Sequence, residues 1–203
     1  MTETAVRRRP GGRSARVRQS VIDATLALLA EAGLDKLTVA DIAERAEVHE
    51  TSIRRRWCTK ENLVADALLN NSAQHLPIPD TGSLREDLVS FASELAAYLR
   101  TPLGRALLHA MTTVGGDPAL AEARTAFWQA RYELASAMFD RAIARGEVPA
   151  TVDGRLALET LIAPLNFRAL LTDESPGDDL PRQLADLVLD GIGGTRGVKA
   201  QQR

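Results

Sequence analysis

Three consecutive arginines, Arg54, Arg55 and Arg56, are the residues of this chain whose types and spacing best suit a chemical task. Guanidinium groups donate paired, planar hydrogen bonds, so they bind phosphates and the O6/N7 edge of guanine. Two apolar residues at helical spacing, Ile53 and Trp57, flank the arginines. The pattern therefore predicts a short helix with one apolar edge turned to a core and a basic face turned outward.

Helix geometry separates the two faces of this segment further. With the apolar residues directed inward, Thr51 and Arg55 point away from the core, and Ser52 and Arg54 lie beside them. Arginine paired with guanine is the commonest specific contact in a DNA major groove, with about 1–3 kcal/mol of discrimination. We therefore predict DNA contacts for these four side chains. The alternative is a solvated basic helix face, which is common for runs of charge.

A second helix must position the basic one. Val39, Ile42, Ala43 and Ala46 follow helical spacing, and residues 47–49 alone separate them from the basic segment. A gap of this length joins two short helices at a steep angle. The sequence thus predicts a helix-turn-helix whose second helix enters a DNA major groove.

Charge is distributed unevenly along the 203 residues, although the net charge is only −2. Residues 1–60 hold 12 basic and 8 acidic side chains, and residues 61–203 hold 13 and 19. A basic front and an acidic rear indicate that only the first part meets a polyanion, which argues against a protein that coats nucleic acid along its length. With 45% hydrophobic and 26% charged residues, the chain is expected to be globular.

Several other classes of protein fit the sequence poorly. No apolar run approaches the roughly 18 residues of a membrane span, and residues 1–13 lack the apolar segment of a secretory signal. A single cysteine, Cys58, excludes an internal disulfide and fits the cytoplasm; its oxidation could perturb the adjacent helix, or it simply fills space. His49, His75 and His109 have no cysteine or carboxylate at metal-ligand spacing, so no metal or cofactor is expected.

Nearly every segment from Ser14 to Ile192 has helical periodicity, which predicts an all-α protein of about nine helices. Prolines and the sequence Asp80-Thr81-Gly82 interrupt the pattern after residue 75. The predicted divisions are a flexible basic arm (1–13), the helix-turn-helix domain with connecting helix 4 (14–74), a second helical domain (75–193) and a flexible tail (194–203). Helix 8, residues 153–171, contains Pro164, which should bend or interrupt it.

Helix 7, predicted over residues 118–145, is apolar on two sides. Such a helix lies between two packed layers, or between a core and a ligand cavity. The side chains that could line a cavity among helices 5 to 8 are Phe91, Tyr98, Met111, Phe127, Trp128, Tyr132 and Phe167. The alternative for each is plain core. Arg131 and His109 are candidate polar groups for an anionic ligand.

From Val21 to Leu63 the sequence resembles the TetR (TetR/AcrR) family of bacterial transcription regulators. The matching residues are Glu31-Ala32-Gly33, Leu37-Thr38-Val39, Ile42-Ala43, Val48, Ser52-Ile53, Trp57 and Thr59-Lys60-Glu61-Asn62-Leu63. Three positions depart from the family pattern: Glu47 replaces a turn glycine, His49 a capping serine, and Arg54 a tyrosine that usually contacts a phosphate. The resemblance implies phosphate contacts from Thr38 and Lys60, at helix N-termini that favour anions. His49, at the position of the capping serine, is a further candidate DNA-binding residue.

The segments DTGSLREDL, RTPLGRALL, DGRLALETLIAPLNFR and LADLVLDGI look like a common C-terminal ligand-binding domain of the same family. The resemblance implies a homodimer through helices 8 and 9, with residues 75–193 as the effector-binding and dimerisation domain. It also implies a repressor that a small, largely apolar ligand releases from a pseudo-palindromic operator. The rival interpretations are a partner-binding helical protein or an enzyme with a vestigial helix-turn-helix. No paired acid and base or activated nucleophile stands out, so we do not expect an enzyme.

Overall fold

The computed structural model describes residues 12–112, 118–172, 177 and 179–194. Within these residues it contains nine α-helices, one π-helical segment and no β-strand. The helices are α1 (Gly12–Ala32), α2 (Val39–Arg45), α3 (Glu50–Trp57), α4 (Lys60–His75), α5 (Leu84–Leu99), α6 (Pro102–Thr112), α7 (Pro118–Ala144), α8 (Gly154–Phe167), π1 (Arg168–Thr172) and α9 (Leu180–Gly194). The all-α prediction is confirmed. The predicted arm before Gly12 and the tail after Gly194 lie outside the described residues.

Local sequence signals fix the ends of the first four helices. α1 begins at Gly12, two residues before the predicted start, and ends where Gly33 adopts a positive φ of 79°. The hydroxyls of Thr38 and Thr59 accept hydrogen bonds from the backbone amides of Asp41 and Asn62, so both threonines cap the following helix.

Local sequence signals also fix the ends of helices in the second half of the chain. Ser83 caps α5, Asp153 caps α8, and α6 starts with a proline at its first position. The predicted helix 8 is corrected at its end: the α-helix stops at Phe167 and continues as the π-helical turn π1. Pro164 lacks the amide hydrogen that would bond the preceding turn, and the irregular turn follows four residues later.

One continuous apolar core joins both halves, with Val21 at its N-terminal end and Val188 at its C-terminal end. α4 is central to it, because it packs on α1 on one side and on α7 on the other, while α5 packs on α8 and α9. Leu63, Val64, Ala67 and Leu68 of α4 are all buried. α4 therefore connects the helix-turn-helix to the second domain through packed side chains. No helix in the described part of the chain is long and apolar enough to span a membrane.

Candidate nucleic-acid interface and internal cavity

α3 has the two faces that its sequence predicts. Ile53 and Trp57 are 2% and 7% exposed, and they anchor the helix in the core. Thr51, Arg54 and Arg55 are exposed, and Ser52 is half-buried. The polar face of α3 is therefore open to solvent, at the second helix of a helix-turn-helix.

A carboxylate on α4 holds the end of α3. The indole N–H of Trp57 donates to Oδ2 of Asp66 at 2.8 Å, and Nη2 of Arg18 lies 2.7 Å from Oδ1 of the same carboxylate. Asp66 thus joins α1, α3 and α4 at one point. Sequence reasoning missed this residue because Arg18 lies 48 positions away from it along the chain, and no local pattern marks the pair.

A groove between α1 and α3 adds further basic groups to this surface. Its lining residues are Ser14, Val17, Arg18, Val21, Ser52, Arg55, Arg56 and Trp57. The guanidinium of Arg56 lies 5.5 Å from the centre of the Trp57 ring, so its side chain leans back onto the domain. Arg55 and Arg56 give this groove a positive potential that attracts phosphate, whereas the charge of Arg18 is offset by Asp66.

Arg54 is held more loosely. Its Nη2 lies 3.2 Å from the Glu50 carboxylate one turn away, and both side chains are largely exposed. Exposed pairs of this kind contribute about 0–1 kcal/mol. Arg54 can therefore exchange Glu50 for a phosphate or a base at little cost.

The turn before α3 carries two departures from an easily formed turn. Glu47 has a positive φ of 54°, a conformation that favours glycine. His49 occupies the N-cap position of α3 but forms no side-chain cap hydrogen bond within the described chain. A missing cap costs about 1 kcal/mol, so this turn is less stable than a glycine and serine would make it.

The turn after α3 is also strained. Cys58 has φ 63° and ψ −54°, and the amide of Thr59 donates to the carbonyl of Trp57 at 2.7 Å. This is a γ-turn centred on Cys58, a conformation that non-glycine residues adopt rarely. The Cys58 side chain is exposed.

Thr38 and Lys60 lie at the starts of α2 and α4. The Thr38 hydroxyl, besides capping α2, donates to Oδ2 of Asp41 at 2.6 Å. Nζ of Lys60 donates to the Leu34 carbonyl at 3.5 Å and lies 4.0 Å from Glu61. Both contacts of Lys60 are long, so its ammonium group can turn towards an anion.

An internal cavity of about 50 Å³ lies between α4, α5, α6, α7 and α8. Its walls are Ser72, Leu76, Phe91, Leu95, Leu99, Leu107, Leu108, Phe127, Trp128, Arg131, Tyr132, Ala135, Leu158, Ile162 and Asn166. Four of the residues that the sequence predicts for a cavity, Phe91, Phe127, Trp128 and Tyr132, are in this wall. Ser72, on α4, and Asn166, on α8, are polar groups that no sequence pattern marked.

Two predicted cavity residues lie elsewhere, and a third cannot be placed. Tyr98 is buried but does not line the cavity, because its hydroxyl donates to Oδ1 of Asn71 at 2.8 Å. Phe167 is 56% exposed, since it lies where α8 ends and its ring faces away from the core. The Met111 side chain lies outside the described residues.

Arg131 is the charged group of the cavity. It is only 7% exposed, and its Nη2 donates to the Leu76 carbonyl at 3.3 Å, while Nη1 is buried and has no hydrogen-bond partner among the described residues. Burial lowers the pKa of the Arg131 guanidinium, and the nearby Tyr98 phenol opposes that shift. His109, the other candidate, is exposed and does not line the cavity.

The open basic helix on a helix-turn-helix, joined to a second all-helical domain, defines a class of protein, the helix-turn-helix transcriptional regulators. Residues 21–67 match the family model for bacterial regulatory proteins of the tetR family. Residues 78–188 match the model for the tetracyclin repressor-like C-terminal domain. The chain belongs to the TetR family.

Relatives of similar length support this assignment. The chain is 38% identical over 179 residues to the HTH-type transcriptional regulator AqdR of Rhodococcus erythropolis, and the matched segment covers 88% of this chain and 86% of AqdR. It is 32% identical over 185 residues to the HTH-type transcriptional regulator YdeS of Bacillus subtilis, and this match covers 91% of this chain and 92% of YdeS. Among solved structures, the TetR family transcription regulator SCO0332 superimposes with a TM-score of 0.76 at 29% identity. The superposition covers 87% of this chain and 98% of SCO0332.

Proposed function

We propose that this DNA-binding regulator is a dimeric repressor that a small ligand releases from a pseudo-palindromic operator. The observation that carries the proposal is the open face of α3, where Thr51 and Arg55 are exposed while Ile53 and Trp57 are buried. In a dimer, two copies of α3 would occupy successive major grooves about 34–36 Å apart. A regulator of this kind acts in the cytoplasm and catalyses no reaction.

The DNA contacts follow from the position of each side chain. Thr51 and Arg55 reach base edges, with Ser52 and Arg54 beside them. The residues assigned to the DNA backbone are Thr38, His49 and Lys60. Contacts with the DNA backbone fix the register and orientation of the protein on the duplex but carry no sequence information.

The dimer would form through α8 and α9. Four large apolar side chains on α8, π1 and α9 are exposed in the single chain: Leu156, Phe167, Leu171 and Leu187. Exposed apolar residues gathered on neighbouring helices are typical of an interface, and two such helix pairs can form a four-helix bundle. We therefore assign Phe167 to the dimer face rather than to the ligand cavity.

The internal cavity is the proposed ligand site. Ser72 and Leu76 of its wall belong to α4, and the same helix holds α3 through Asp66. A ligand that binds one spacing of the two α3 helices more tightly than another lowers the affinity for DNA by that difference. Residues 14–74 thus read the DNA and residues 75–193 sense the ligand.

Selection from random DNA duplexes tests this function. The proposal expects enrichment of a pseudo-palindrome with half-sites one helical turn apart, bound by two chains. Size-exclusion chromatography with the selected duplex gives the stoichiometry. A helical partner-binding protein or an enzyme with a vestigial helix-turn-helix would yield no enriched sequence, and that result would contradict the proposal.

A further inference from the structure

Among the described residues the guanidinium of Arg131 has no counter-charge, although a buried cation needs one. Its polar contact in this part of the chain is the 3.3 Å hydrogen bond from Nη2 to the Leu76 carbonyl, and Nη1 has no hydrogen-bond partner there. The ion pairs of the described part of the chain do not include Arg131. Buried charges in proteins are normally paired, because desolvation penalises the charged form. An anion that enters the cavity would supply the missing partner.

The surroundings of Arg131 restrict the rest of the ligand. Apart from Ser72, Asn166 and the Tyr132 hydroxyl, the wall consists of hydrocarbon and aromatic side chains. Trp128 lies edge-on to Phe127, with 5.4 Å between ring centres, and 6.0 Å from Tyr132. Such a wall favours an apolar body and rejects a second charge, since no further ionic side chain lines the cavity.

We propose that the cavity takes an organic monoanion with an apolar body, and that its anionic group binds Arg131 in place of the Leu76 carbonyl. A carboxylate accepts two parallel hydrogen bonds from one guanidinium, which would satisfy Nη1 and draw Nη2 away from Leu76. This inference rests on the proposed function, because it names the ligand class of the same regulatory site.

The replacement of the Leu76 carbonyl by the ligand's anionic group at Arg131 also connects the ligand to α3. Leu76 is the C-cap of α4, so its carbonyl is the point where α7 holds the end of that helix. The cavity of about 50 Å³ has room for a few water molecules, whereas ligand pockets have about 300–1,000 Å³. A ligand must therefore move the walls as it enters. Release of Leu76 lets α4 shift, and Asp66 passes the shift to Trp57 on α3.

Matched pairs of a carboxylate and an alcohol test the ligand class directly. The probes are benzoate and benzyl alcohol, 1-naphthoate and 1-naphthalenemethanol, and octanoate and 1-octanol, titrated calorimetrically into the full-length protein. In at least one pair the carboxylate should bind about 10–100-fold more tightly, as expected for a charge-assisted hydrogen bond. Arg131→Gln should remove that preference and change the affinity for the alcohol by less than about threefold.

Two further variants control for charge and folding. Arg105→Gln removes an exposed arginine from the neighbouring helix α6 and should leave the carboxylate preference unchanged. Arg131→Lys keeps the cation but loses the paired donors, so it should retain part of the preference. Since the comparison of carboxylate with alcohol is made first in the unchanged protein, it stands even if Arg131→Gln fails to fold.

The inference is overturned if every pair binds equally, if no probe binds at about 1 mM, or if Arg131→Gln keeps the preference. Fluorescence anisotropy with a selected duplex measures DNA binding, and it thereby distinguishes a failure of this inference from a failure of the proposed function. Specific DNA binding without any carboxylate preference would refute the ligand class alone. Carboxylate binding at Arg131 without specific DNA binding would refute the repressor and leave the anion site intact.

Discussion

The indole N–H of Trp57 donates to Oδ2 of Asp66 at 2.8 Å, so the last residue of α3 is tied to a carboxylate on α4. The other oxygen of Asp66 binds Arg18 of α1. A single side chain thus sets the position of α3 relative to the two longer helices that support it. The orientation of the exposed face of α3 depends on this contact as well as on the burial of Ile53.

Replacing Asp66 tests that dependence. Asp66→Ala leaves the Trp57 indole and the Arg18 guanidinium without their acceptor, and it should lower the free energy of unfolding by about 1–3 kcal/mol. Asp66→Asn keeps an acceptor for Trp57 and should cost less. Urea denaturation at one fixed protein concentration measures both, because dimerisation makes the stability depend on concentration. Asp23→Ala, on the exposed side of α1, is the control; equal losses in both alanine variants would contradict this role.

The turn before α3 should become more stable when Glu47 is replaced by glycine. Glu47 has a φ of 54°, and glycine adopts this conformation without a steric penalty. We expect Glu47→Gly to raise the free energy of unfolding by about 0.5–1 kcal/mol. Glu44→Gly, in the last turn of α2, should instead lower it, by up to about 1 kcal/mol. A loss of stability in both variants would show that the positive φ carries no strain.

Gly104 permits a close approach of α6 to α5. A Cβ at this position would lie 2.0 Å from the Tyr98 carbonyl oxygen, and that atom belongs to the backbone and cannot turn aside. Gly104→Ala should therefore lower the free energy of unfolding by about 3 kcal/mol or more. Thermal unfolding measures the effect. Gly177→Ala serves as the control, since a Cβ there meets no atom within 4 Å; similar melting temperatures for the two variants would be inconsistent with this packing.

The two tyrosines of the chain should ionise late in alkaline titration. Burial raises the pKa of Tyr98 to about 12, against a small opposing effect of Arg131, and burial together with Glu159 raises the pKa of Tyr132. A raised folded-state pKa means that the contribution of Tyr98 to stability is complete below about pH 10 and is lost towards pH 12.

Ultraviolet absorbance of the phenolate reports this titration. The folded protein should show little phenolate at pH 10, and urea-denatured protein should show about half of its tyrosine ionised. Tyr98→Phe should remove the later of the transitions. Full ionisation of both tyrosines near pH 10 in the folded protein would contradict the burial of the Tyr98 hydroxyl against Asn71.

The sequence predicted the helices and the two faces of α3 because both depend on local spacing. Ile53 and Trp57 are four residues apart, and their burial predicts which side of α3 is exposed. The caps at Thr38 and Thr59 are equally local. These features could be predicted without knowing what lies across the core.

Contacts between distant segments could not be predicted in the same way. Tyr98 and Phe167 are both aromatic residues that the sequence predicts for the cavity. However, the hydroxyl of Tyr98 donates to Asn71, and Phe167 is exposed at the end of α8. The sequence marked Arg131 as a candidate group for binding an anion. That its Nη1 has no partner in the described part of the chain depends on the contact of Nη2 with the Leu76 carbonyl, which the sequence does not show. The spacing of apolar residues assigns a side chain to one face of its helix. It does not show which distant residues that face contacts.

The most direct test of the account compares Arg55→Ala with Lys60→Ala on the selected operator and on single-base variants of it. Arg55→Ala should cost about 1–3 kcal/mol on the operator and abolish discrimination at one base pair of each half-site. Lys60→Ala should weaken binding to all sequences alike and flatten the salt dependence. If Arg55→Ala binds the operator and its variants as the parent protein does, α3 does not read DNA through its exposed face.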